Sequence, residues 1–115
     1  MDYRAFLPDI DVEDGKKRVM GNMSLYARLL GRFDGEKMSA NVIDAIDAGD
    51  EKNLSQAAHA LKGTAANLGF PVICRVVGEI DALCKDGKNC THLKQDLQDA
   101  TDALCAAIKR FLESI

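Results

Sequence analysis

Apolar residues recur at three- and four-residue steps along most of this chain, and no run sustains the alternation of a half-buried strand. The only two prolines, Pro8 and Pro71, lie outside the long periodic segments, so nothing interrupts the helical pattern from within. A chain with this pattern is confined to an all-α fold in which each helix buries one stripe.

The segments can be read in order. A short piece around Tyr3 to Leu7 precedes a short turn of helix from Val12 to Val19. Asn22 then caps a helix with the stripe Leu25, Tyr26, Leu29, Leu30 and Phe33. Gly35 separates it from a helix carrying Met38, Val42, Ala45 and Ile46, which Gly49 stops. Asp50 opens the next, with Leu54, Ala57, Ala58, Leu61, Ala65 and Leu68 on its buried side. Gly69 is placed as its left-handed C-cap, and Pro71 suits the first turn of the following helix, where an N–H would have no partner. That helix carries Ile73, Val76, Val77, Ile80, Leu83 and Cys84 and ends near "KDGKN". The last, from Asn89 or Thr91, carries Leu93, Leu97, Ala100, Leu104, Ile108 and Phe111. Short connections make neighbours antiparallel. The expected fold is therefore an up-and-down antiparallel four-helix bundle with short additional N-terminal helical segments. The 115 residues form one domain, its bundle core running roughly over 22–114, with no repeat or linker.

Composition removes several functions. Aromatics are 5% of the chain, without tryptophan, too few for a nucleic-acid stacking platform. A net charge of −3 argues against a general phosphate-backbone binder. The N-terminal stretch "MDYRAFLPDIDVEDG" lacks the basic and apolar regions of a secretion signal, and no run approaches a membrane span, so a cytoplasmic protein is expected. Cys74, Cys84, Cys90 and Cys105 show no paired C-x-x-C spacing and read as free thiols rather than a metal site. His92, with only Cys90 and Lys94 nearby, reads as a solvated residue near a helix start.

One helix face is unusual. With about 100° per residue, Lys52, Ser55, Lys62, Gly63 and Ala66 fall within about 60° of His59, with Gln56 at the edge, while Leu54, Leu61, Ala65 and Leu68 lie opposite. His59 therefore points away from the core in a cleared surround. A neutral imidazole is a good nucleophile near neutral pH. Lys62, on the same face, can support phosphoryl oxygens as a point charge. Gly63 costs roughly 1 kcal/mol relative to alanine inside a helix. Either another helix passes close to it, or a partner must approach the imidazole; its place beside an outward histidine favours the partner.

The run His59-Ala60-Leu61-Lys62-Gly63-Thr64-Ala65-Ala66-Asn67-Leu68-Gly69 resembles the motif of histidine-containing phosphotransfer (HPt) domains, H-x-L-K-G-x-x-x-x-x-G, at all five fixed positions. The resemblance extends to the architecture, from about Asp11 to Phe111. It implies a phosphorelay intermediate in two-component signalling. His59 would accept a phosphoryl group, on Nε2, from the aspartate of one response-regulator receiver domain and pass it to another. Lys62 would support the group, Gly63 would give access, and Gly69 would shape the helix end. Lys52, Ser55, Gln56, Ala66 and Asn67 are candidates for docking or for supporting the imidazole, whose second nitrogen needs an acceptor that Gln56, Ser55 or a neighbouring helix could supply. The receiver would bring Mg²⁺; no cofactor or metal is expected on this chain. A hybrid sensor histidine kinase is a further expected partner, and a monomer the expected state.

Other readings are weaker. No glycine-rich nucleotide loop is present, and the chain is too short for an ATP-binding domain beside the bundle, so it is not expected to be a kinase itself. The phosphoacceptor module of a chemotaxis-type kinase would differ by taking phosphate from a separate catalytic domain. A passive bundle that docks receivers without transfer would not need His59. A metal-binding bundle would need inward Glu-x-x-His pairs, which are absent.

Overall fold

The structure, a computed structural model, describes residues 2–115 and contains no strand among them. A 3-10 turn at Tyr3–Phe6 leads into α1 (Val12–Arg18) and α2 (Met23–Arg32). Four longer helices follow: α3 (Gly35–Ala48), α4 (Glu51–Leu68), α5 (Pro71–Lys85) and α6 (Lys94–Ser114), with a 3-10 turn at Thr91–Leu93 before the last.

Local chemistry starts and stops these helices. Asp11, Asn22, Asp34 and Asp50 each accept a hydrogen bond from the backbone N–H three residues on, at 3.0–3.1 Å, satisfying a donor that the first turn leaves open. Gly49 (φ 65°) and Gly69 (φ 80°) close α3 and α4 in the left-handed conformation, and Pro71 sits in the first turn of α5. Gly35 does not separate helices as expected. It is the first residue of α3, buried against the Phe33 ring, and Asp34 does the capping. The last helix also begins later than expected, because Asn89 bonds the Thr91 N–H at 2.7 Å and the chain tightens into the 3-10 turn before Lys94.

The bundle is a closed ring in which α3 packs on α4, α4 on α5, α5 on α6 and α6 on α3. Its four helices run from residue 35 to 114, later than the Asn22 boundary read from the sequence. Helix α2 has a strong apolar stripe, but it joins α1 in an N-terminal layer against one end of the ring. Tyr26 there meets Leu68 and Phe111, near the C-termini of α4 and α6. The core is built from Val42, Leu54, Leu61, Ala65, Ile73, Val77, Ile80, Leu97, Leu104 and Phe111, all essentially removed from water. One polar pair is inside it. Thr101 Oγ1 donates to the Leu97 carbonyl and Ser39 donates to Thr101, both at 2.7 Å, so neither hydroxyl is left unsatisfied. The molecule measures 44 × 23 × 20 Å.

Candidate functional site

Helix α4 is anchored on one side by Leu54, Ala58, Leu61, Ala65 and Leu68, all buried. That leaves His59, Lys62, Gly63, Ala66 and Asn67 exposed on the other side, with Gln56 and Lys52 one and two turns earlier and Ser55 half-buried at the edge. Sequence periodicity and structure agree on this face because its residues are spaced by the helix alone.

Gly63 decides between the two explanations for a glycine here. A Cβ built on it would meet nothing within 4 Å, so no neighbouring helix requires the missing side chain. The helical penalty of about 1 kcal/mol is therefore unexplained by internal packing. Open space above this residue suits a partner from outside. Gly69 is different: a Cβ there would lie 2.5 Å from the Asp11 carbonyl oxygen, so its role is to end α4 and admit the N-terminal layer.

No hydrogen bond joins the His59 ring to Ser55, Gln56 or any other described residue. Gln56 instead lines a shallow groove between α3 and α4, with Asn41, Asp44, Asn53 and Ala57. The Lys62 ammonium makes no ion pair among the described residues. It leans towards α5, 4.0 Å from where a Cβ of Gly78 would be. The Cys74 thiol, which burial pushes up, is pulled partly back down by Lys62 and then Arg18, consistent with an ammonium that lies between Cys74 and Gly78, one turn apart on α5.

Two α5 residues, not singled out in the sequence, belong to this region. Gly78 is the middle residue of its helix, where the same penalty that marked Gly63 was legible. Asp81 sits beside the apolar stripe and is 6% exposed. Its Oδ2 holds the Lys85 ammonium at 3.0 Å, and its Oδ1 is buried with no hydrogen-bond partner among the described residues. The antiparallel register is marked at two points: Lys62 lies over Gly78, and the Cys84 thiol donates to the Glu51 carbonyl at 3.7 Å. Asp81, between Gly78 and Cys84, thus faces the stretch of α4 between Glu51 and Lys62, which includes Ser55 and His59. A buried carboxylate oxygen without a partner is rare enough to need a reason.

The four cysteines are free, with Cys90 buried and the others half-buried, and burial raises each thiol above its ordinary value. Among the described residues no group of three or more His, Cys, Asp or Glu side chains could hold a metal ion. No helix among them is long and apolar enough to cross a membrane.

A family model of the Hpt domain matches residues 34–114, from the Asp34 cap to the end of α6. The match spans all four bundle helices and leaves out α1 and α2. The chain belongs to the Hpt domain family, phosphocarrier domains of histidine phosphotransfer relays that have no kinase activity of their own. No curated protein and no solved structure matches it.

Proposed function

We propose that His59 is the phosphoacceptor of a phosphorelay and that this chain takes the group from one receiver domain and delivers it to another. The observation that carries the reading is the unobstructed face of α4, where an exposed imidazole, an ammonium with no ion pair among the described residues and a glycine with nothing above it lie within little more than one turn.

In the forward step Nε2 of neutral His59 attacks the phosphorus of a receiver's aspartyl phosphate. The N–P bond forms as the P–O bond to the aspartate breaks, and the aspartate leaves as a carboxylate. The ring is then cationic until the proton on Nδ1 is shared with an acceptor or released. Delivery to a second receiver reverses these bonds. Such transfer depends on position and on charge placed near the phosphoryl oxygens. Lys62 supplies that charge from this chain, and a Mg²⁺ ion bound by the receiver would add to it from the other side. Asp81 is the α5 group suited to accept the Nδ1–H and hold the tautomer in which Nε2 is free, because its Oδ1 has no partner among the described residues. Gln56, turned into the α3–α4 groove, is less suited.

Docking needs a partly apolar centre with a polar rim. Gly63 and Ala66 form the low centre, while Lys52, Lys62 and Asn67 form a rim that suits an acidic receiver pocket. The reading makes the chain a monomeric cytoplasmic carrier that also meets a hybrid sensor histidine kinase through its receiver.

The test is transfer of labelled phosphate from a phosphorylated receiver to wild type and to His59→Gln. Label on wild type alone, lost in acid and stable in alkali, supports a phosphohistidine at His59. Equal labelling of the variant moves the acceptor elsewhere. An unlabelled wild type that still binds receivers supports docking without transfer.

A further inference from the structure

Gly78 is the middle residue of α5, with a φ outside the left-handed region, so its backbone would accept any larger side chain. No backbone crosses it. The one atom within 4 Å of its missing Cβ is the Lys62 ammonium nitrogen. Residue 62 reaches from α4 towards α5, and its ammonium nitrogen lies above the glycine. An ammonium on four methylenes would ordinarily settle on a carboxylate, yet among the described residues Lys62 has none, while the nearby Asp81 is engaged by Lys85.

We infer that Gly78 is a positioning residue for Lys62: its bare backbone gives the lysine an uncharged resting place over α5, from which the ammonium stays free to meet a phosphoryl group on His59. The inference rests on the phosphorelay reading and adds to it a part of the site on the neighbouring helix. It separates alanine from larger residues. An alanine Cβ 4.0 Å from the nitrogen is in ordinary contact and leaves Lys62 where it is. Leucine or glutamine extends further, into the volume that the ammonium occupies, and displaces it.

The experiment measures single-turnover transfer from a phosphorylated receiver for Gly78→Ala, Gly78→Leu and Gly78→Gln, each with Lys62 present and in a Lys62→Met background. Thermal melting confirms folding, and labelling of His59 by phosphoramidate, a small donor that needs no docking, reports the nucleophile alone. Gly78→Ala is expected to transfer within about twofold of wild type, and Gly78→Leu and Gly78→Gln about fivefold more slowly, with the difference gone in the Lys62→Met background. Unchanged transfer in the folded large variants overturns the inference, and so does an equal slowing without Lys62. A wild-type chain that takes no label from any receiver would instead overturn the phosphorelay reading on which it rests.

Discussion

The Tyr26 hydroxyl donates to the Leu68 carbonyl at 2.6 Å, tying the N-terminal layer to the last turn of the helix that carries His59. That carbonyl is one of the four that a helix leaves unpaired at its C-terminus. Beside it the Asp11 N–H donates to the Gly69 carbonyl at 2.7 Å, and Gly15 lies so close that a Cβ would meet both the Tyr26 hydroxyl and the Leu68 carbonyl. The layer outside the family match thus completes the end of α4 and holds one end of the site's platform still.

Tyr26→Phe should cost about 1–2 kcal/mol, because the Leu68 carbonyl is left buried without its donor. A pH signature accompanies it. Burial, then the nearby Asp11 and Asp14, raise the Tyr26 hydroxyl well above its ordinary value of 10. Below that value both folded and unfolded chains hold the proton and the contribution is fully present. Above it the unfolded chain loses the proton first, so stability falls as pH rises. Urea unfolding at pH 8 and at pH 11 should show the gap between wild type and Tyr26→Phe narrowing at the higher pH; a constant gap would contradict this account.

Gly69→Ala combines a strained left-handed backbone with a Cβ 2.5 Å from the Asp11 carbonyl. A loss of at least about 2 kcal/mol is expected. Amide hydrogen exchange at Asp11 should speed up before exchange in the middle of α6 does, because the N-terminal layer detaches first.

At Gly63 stability and function should move in opposite directions. With nothing near its missing side chain, Gly63→Ala should gain about 1 kcal/mol and raise the melting temperature by about 4 °C. Transfer from a receiver should slow, and slow further in Gly63→Leu. A leucine variant that transfers at the wild-type rate would remove close approach from the explanation.

Asp81→Asn keeps the shape of the side chain but replaces one carboxylate oxygen with an amide donor. If Asp81 receives the ring proton, receiver transfer should slow roughly tenfold, about 1.4 kcal/mol of barrier, with docking affinity unchanged. Calorimetric binding alongside rapid-quench transfer separates the two quantities. Weaker binding at an unchanged transfer rate would make Asp81 structural.

Lys52 is exposed and makes no ion pair among the described residues. Lys52→Glu should weaken association with an acidic receiver at low salt and approach wild type near 1 M, where the screening length is about 3 Å. Affinity that ignores both the charge and the salt would take Lys52 out of the docking surface.

What the sequence determined by itself is whatever depends on neighbours within one or two turns. The helices follow from a period of 3.6, the starts of α2 and α4 from Asn22 and Asp50, each three residues before the N–H it caps, and the stops of α3 and α4 from Gly49 and Gly69. The outward direction of His59, Lys62 and Gly63 follows from the same period, so that part of the site was legible without a structure. Tertiary structure decided the rest. The bond from Tyr26 to Leu68 joins residues 42 apart, α2 left the bundle for its end, and Gly35 moved from a break to a buried first turn against Phe33. Gly78 beneath Lys62 and Asp81 opposite the His59 stretch depend on how α5 slides along α4. That register is set by which side chains of two helices interlock, a choice among many contacts of similar energy that no pattern within either helix encodes.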